Sequence, residues 1–560
     1  MSFSSSMPSK ARDNHPKHRC TCYNAHIRLQ KAISSETKTP VSIHVKEDGF
    51  MNTILEQFQE KIKGTFSFFD RIIIKGHIRQ LFSPSGKRHF LSHNNVLLKD
   101  FSAYAQTVTK NLCEHIEKLA TDSNRPVAYL TSAKTSKEQT ALQILLENPV
   151  EEGLICALSV VEYCQTLQPK KQEDGKLSLC GVNRKCKYYY LYFLDKEFGF
   201  MHVKIQTWFP FLIQVYINGR EMMKHIFDQN DITYKMYDNS FIDISDVQKA
   251  QELADKFDSK KLCRRLDCFA KKVNPYLDTI YDSFHQGYFW CVDQCEYATD
   301  VMFTSREALE DIYPSLVGHA FYSFKCEDVF SFMGRKLDAK FLGEIVSDYR
   351  KRPEGFRIKH KMKSNSIKMY DKFSVLRIEM TINDSKEFKI RKEVRHKDGI
   401  TSMQWRPMGK SIANLYRYAE VSKSSTFRYL GALKGIVPVK AIEREINGIC
   451  RNRIFDGKRF GGFNVWEEKT FHLFSELSNA SFLIRGFTNQ DIRRVLFTGQ
   501  ESELKTNRNR VSRLFAKLRA HGLIKKVPRS LRYHLTEKGR RIFSALIETK
   551  RKTFPELVAS

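Results

Sequence analysis

The sequence predicts a multidomain α+β fold: mixed sheet-and-helix units at the N-terminus and centre, then a small closing unit of helices around one hairpin. Three observations predict it. The chain has 560 residues, more than a single core sustains. Its apolar content of 41%, with 12% aromatic, exceeds that of a disordered chain. Helical and strand patterns alternate from about residue 51 onward, and a 3.6-residue period dominates the last eighty residues. A net charge of +30 makes a polyanion the default partner. No apolar run of eighteen residues and no signal peptide is found, so no membrane partner is expected. Thirteen scattered cysteines fit reduced thiols in a cytoplasm.

Residues 1–50, polar and rich in Ser, Lys and His, read as a disordered basic leader, and Met51 offers an alternative start. His15, His18, Cys20, Cys22 and His26 are zinc-ligating types, but their spacing matches no standard finger, and a plain basic tail is the preferred reading. Residues 51–275 read as an α+β domain with an aromatic-rich sheet. Strands are expected at 66–74 and 126–131, a helix at 95–119, and a hairpin turning at 195–199. Asn218-Gly219 reads as a turn, with helices at 221–227 and 245–257. Aromatics interleaved with Lys187, Lys196, Lys204 and Arg220 would stack single-stranded bases if exposed; packing into the sheet's core is the favoured alternative.

Residues 276–477 read as a basic central α+β domain. Between Arg350 and Lys372, cations alternate with Phe356, Ile358, His360, Ile367 and Met369, which predicts strands with a charged face. Arg357, Lys359, Lys361, Lys363 and Lys368 are therefore candidates for a second nucleic-acid surface, which tracks phosphates without reading bases. Asp293, Glu296 and Asp300 fall on one face if their segment is helical, a carboxylate group able to hold Mg²⁺. Tyr370, Asp371, Lys372, Glu379 and Asp384 form a second acidic constellation.

Residues 478–552 carry the sharpest pattern. Thr488 is a good N-cap for a short helix. A longer basic helix over 507–521 has Val511, Leu514, Phe515 and Leu518 as its apolar stripe, and Gly522 stops it. Short strands at 523–527 and 531–535 flank Pro528-Arg529-Ser530, and Thr536 opens a closing helix before the 553–560 tail. This order is that of a winged helix-turn-helix. From Arg485 to Lys552 nineteen Lys/Arg face five Asp/Glu, so the unit holds nearly half of the chain's charge excess. Arg508, Arg510, Arg513 and Lys517 on the helix, with Lys525, Lys526, Arg529 and Arg532 on the hairpin, are the candidate DNA contacts.

The run RVSRLFAKLRAHGLIKKVPRSLRYHLTEKGRR resembles MarR-like winged-helix proteins, which implies duplex DNA as partner. Tyr370-Asp371-Lys372 followed by Arg377-Ile378-Glu379 is similar to segments of plasmid and phage replication initiators. That similarity implies metal-dependent nicking, although the His-hydrophobic-His ligand pair of such enzymes is absent. From Met51 onward, FDRIIIKGH and RIKHKMKSNSIKMYDK look like segments of long bacterial proteins, implying a bacterial origin with a mobile element. P-loop, dinucleotide-turn, His-Glu-x-x-His and Gly-x-Ser-x-Gly motifs are absent. The sequence thus favours a nucleic-acid-binding protein with no evident cofactor, acting on DNA with RNA as a further partner. The alternative is a Mg- or Mn-dependent nuclease.

Overall fold

The computed structural model describes residues 54–559 apart from 132–134, 257, 336–340, 342, 353–354, 396–398, 400, 435–442 and 498–503. The leader and its His/Cys group lie outside the described residues. The fold is mixed α+β, built on a sheet of eleven strands. In chain order the strands are β1 (Ile62–His77), β2 (Val127–Tyr129), β3 (Gly153–Lys171), β4 (Leu177–Asp195), β5 (Gly199–Gln206) and β6 (Ile213–Asn218). A separate hairpin, β7 (Tyr234–Tyr237) and β8 (Ser240–Ile244), precedes β9 (Phe289–Phe303). β10 (Ile345–Arg352), β11 (Gly355–Met362), β12 (Asn365–Lys372) and β13 (Val375–Ile382) complete the sheet. Its order is β10-β11-β12-β13-β9-β1-β6-β5-β4-β3-β2, antiparallel except where β2 joins β3. One sheet therefore runs across the boundary expected near residue 275.

The central strands of the sheet are covered on both faces. Every residue of β13 is buried, as expected of a strand enclosed on two sides. The larger core packs helix α1 (Phe101–Asp122), through Val108, Leu112 and Ile116, with Ile72, Tyr189 and Val203 of the sheet. The opposite face is closed by α2 (Gly219–Asp228), α3 (Val247–Asp255) and β7–β8 around Phe66, Phe68, Phe227 and Phe241.

Several expectations change here. Residues 293–300 form a strand, not a helix, so the helical reading of Asp293, Glu296 and Asp300 fails. Glu296 and Asp300, four apart, still share a face because strands alternate with period two. Asp293 pairs with Lys75 at 3.0 Å instead. Asn218-Gly219 is no free turn: the Asn218 side chain accepts from Arg220 and Glu221 N–H and caps α2. The rings of Tyr188, Tyr189 and Tyr192 are buried, which removes them as a base-stacking platform.

Gly219 matters for a local reason. In β1, Phe69 pairs with Tyr297 and Arg71 with Glu296, so Asp70 is the extra residue of a β-bulge. The first turn of α2 presses on this bulge: a Cβ at Gly219 would lie 1.6 Å from the Phe69 carbonyl oxygen. Replacing Gly219→Ala is expected to cost at least about 1–3 kcal/mol in urea unfolding, because backbone must move to admit the methyl group.

His360 on β11 is fully buried, with Nδ1 2.8 Å from the Ser347 hydroxyl, and burial lowers its pKa to about 4. An unfolded histidine titrates near ~6.5, so between these values only the unfolded chain binds the proton. Stability should be fully present above pH ~6.5 and fall as pH drops towards 4, by up to about 3 kcal/mol. His360→Gln should flatten that part of the stability–pH curve.

Candidate functional site

Three carboxylates from three adjacent strands meet on the α2–α3 side of the sheet. Asp70 comes from the bulge of β1, Glu296 from β9 and Glu379 from β13. Each offers an oxygen within 4.8 Å of the others, and all three residues are buried. They line a cavity of 330 Å³ whose other walls include Arg220, Arg357, Lys368 and Tyr370. The bulge explains the meeting, since Asp70 and its neighbour Arg71 both reach this cluster.

Cations hold the cluster together. Arg377 on β13, fully buried, places Nη2 2.7 Å from Asp70 Oδ1 and Nη1 3.0 Å from Asp300 Oδ1. It also donates to the Asn239 carbonyl at 2.6 Å. Lys368 on β12 donates to Glu379 and lies 3.9 Å from Glu296. Arg71 reaches Glu296 at 3.4 Å, and Arg220 reaches Asp70 at 3.6 Å. The Tyr370 hydroxyl donates to Glu379 Oε2 at 2.9 Å and accepts from the Asn239 amide at 3.1 Å.

The two glutamates are driven apart electrostatically. Burial opposes ionisation of Glu379, but Lys368 and Arg377 outweigh it and hold its pKa at about 2. Burial and the Glu379 charge push Glu296 above the usual carboxylate range. Burial raises Asp300 to about 6 although Arg377 pulls it down. Burial also raises the Tyr370 hydroxyl, which keeps it a neutral donor to Glu379. Such a set of oxygens suits a hard divalent cation. Lys368, with 17% of its side chain exposed, and Arg71, with 40%, are the partners placed to give way; Arg377, at 0%, is not.

The second basic surface runs into this site from the sheet edge. Tyr370 pairs with Arg357, and Lys368 stands between Lys359 and Glu379 across three strands. Arg357, Lys359 and Lys361 alternate with buried Ile358, His360 and Met362, so the predicted charged face exists. Burial, with Arg352 and Arg350, lowers the Arg357 pKa; burial, with Lys368 and Arg357, lowers that of Lys359. Like charges are thus crowded along the row. Lys363 does not belong to it: it sits in the β11–β12 turn and pairs with Glu387 at 2.7 Å. Lys368 belongs to the acidic cluster rather than to an open surface.

In the C-terminal segment, α5 (Asn489–Leu496) starts at a Thr488 capping box, following a longer helix α4 (Leu415–Leu433) of the main body. Helix α6 (Leu504–Ala520) packs Val511, Phe515 and Leu518 into a second core, Gly522 ends it at φ 70°, and strands Ile524–Lys526 and Tyr533–Leu535 pair. Helix α7 (Glu537–Ala559) follows. Arg508, Arg510, Arg513, Lys525, Lys526, Arg529 and Arg532 are exposed. Lys517 is not placed for contact with a ligand: it donates to the Gly462 carbonyl at 2.9 Å and lies 4.2 Å over the Phe463 ring. Arg532 donates to the Arg485 carbonyl at 3.2 Å.

Comparison with known proteins found no family model, no curated protein and no solved structure that matches the chain. Sequence reading found Glu296 and Glu379 separately, missed Asp70, and gave no role to Arg377 as an anchor. Arg377→Met should cost about 3–5 kcal/mol in urea unfolding, because Asp300 would remain buried without a counterion and Asp70 would keep only the longer contact to Arg220. Adding Asp70→Asn and Asp300→Asn to that variant should recover much of the stability.

Proposed function

We propose that this chain is a DNA-binding protein carrying a divalent-metal-dependent phosphodiester-cleaving site at Asp70, Glu296 and Glu379. One observation carries the reading: three buried carboxylates converge on one cavity at the end of a row of crowded cations. Carboxylate oxygens suit Mg²⁺ or Mn²⁺, which when bound polarise a phosphoryl oxygen and activate water. Arg357, Lys359 and Lys361 would hold the phosphate backbone beside them. Lys368, which donates to Glu379, would be free to meet the same phosphates were a metal to take its place. The +30 net charge supports a polyanionic substrate.

The C-terminal segment supports duplex targeting. Its cap, basic helix, hairpin and closing helix have the order of a winged helix-turn-helix, and Phe487 bridges to Tyr533 as a third short strand would. In this reading α6 enters the major groove through Arg508, Arg510 and Arg513, while Lys525, Lys526 and Arg529 meet the adjacent backbone.

Two measurements test these parts separately. With supercoiled plasmid and Mg²⁺ or Mn²⁺, the protein should nick, and Glu379→Gln should lower the rate at least about 100-fold while leaving duplex affinity unchanged. No metal-dependent nicking by the wild-type protein refutes the catalytic half. Arg508→Ser and Arg513→Ser should each weaken binding to all duplexes and lower the salt slope by roughly one unit, since each removes one cation from the phosphate backbone. An unchanged slope refutes the targeting half.

A further inference from the structure

Beyond the large sheet, strands β14 (Lys389–Arg395) and β15 (Thr401–Pro407) form a two-stranded ribbon of their own. Its base is fixed to the body. Phe388, Ile390 and Met408 are buried, Met408 N–H donates to the Phe388 carbonyl at 2.8 Å, and the Ser385 hydroxyl donates to the Met408 carbonyl at 2.9 Å. Just past it, the Lys410 carbonyl accepts from Val292 N–H of β9 at 2.7 Å. Away from the base the ribbon exposes large apolar side chains: Trp405 is 65% exposed and Met403 54%. Trp405 stands directly across from Arg391, and Met403 from Glu393. Lys389, Arg391, Lys392, Arg395 and Arg406 are exposed as well, against the one acid Glu393 in the two strands.

We propose that this ribbon binds single-stranded DNA, with Trp405 stacking on an unpaired base and the surrounding cations holding the adjacent phosphates. An indole left in water on a strongly cationic ribbon suits a ligand that is both anionic and flat-faced, and a nucleotide is both. The unpaired form is required by geometry. In a duplex the base faces are covered by their neighbours and only the edges show, so an indole reaches a face only after unstacking. The ribbon follows β13, the strand that carries Glu379. β13 passes from Glu379 to its end at Ile382 in three residues, about 10 Å of strand, and β14 begins shortly after. The binding itself needs no metal, so its failure and that of the proposed cleavage are distinguishable.

The test uses tryptophan emission in the full chain. Of the four tryptophans, Trp208 and Trp290 are buried, whereas Trp405 and Trp466 are exposed. In a Trp466→Phe background, titration with a twenty-residue oligothymidylate should quench the emission saturably. Trp405→Leu in that background should abolish the quenching and weaken binding roughly 5- to 100-fold, while Trp405→Phe keeps most of the affinity. Quenching that persists in Trp405→Leu overturns the proposal. So does equal quenching by a blunt duplex, or absence of quenching in the Trp466→Phe protein. A blue shift that depends on protein concentration alone also overturns it, since a second copy of the chain would then cover the indole.

Discussion

The guanidinium of Arg377 has no exposure to solvent and is held by Asp70 and Asp300, which are buried with it. Removing such a charge from water costs several kcal/mol, and only close, well-oriented carboxylates offset it. The arrangement of four elements follows from this requirement. Asp70 must bulge out of β1, Asp300 must face inward on β9, and the β7–β8 hairpin must bring the Asn239 carbonyl within 2.6 Å. Gly219 must be bare so that α2 can close over the bulge. Disturbing any of these leaves charge buried without a partner, so the region holds one geometry or loses it cooperatively.

That rigidity has a chemical consequence. The carboxylates next to Arg377 cannot relax apart, so Asp70, Glu296 and Glu379 stay gathered despite their mutual repulsion. Lys368 and Arg71 neutralise the open side of the cluster, and both retain contact with solvent. The site therefore combines an anionic floor with partly exposed cations, flanked by the Arg357–Lys359–Lys361 row. An anionic floor and a cationic rim thus stand side by side at one cavity.

Much of the local structure was legible in the sequence. The Thr488 cap, the Val511–Leu518 stripe and the Gly522 stop are short-range signals, and each appears where the pattern put it. The alternation of cations and apolar residues along β11 was equally plain, because a period of two survives in any strand with one buried face. The acidic site was only half legible. Glu296 and Asp300 are four residues apart, a spacing that one face of a helix and one face of a strand share, and the helical choice was wrong. Asp70 lay inside a correctly read strand, but nothing local marks a one-residue bulge that redirects its side chain. Arg377 was singled out only through the segment similarity, because its partners are distant in sequence and adjacent only through pairing of β13, β9 and β1. Lys363 and Lys517 were misplaced for the same reason, their partners Glu387 and Gly462 being invisible to any periodicity.

Under the proposal, the Asp70–Glu296–Glu379 floor would take a divalent cation in exchange for Lys368. Crystals soaked in Mn²⁺, with anomalous scattering recorded at the manganese edge, measure this most directly. One strong anomalous peak is expected within coordination distance of all three carboxylates, with the Lys368 ammonium withdrawn from Glu379 into the cavity. No peak at saturating Mn²⁺, with Lys368 still bonded to Glu379, would contradict it and leave the cluster as a structural ion network.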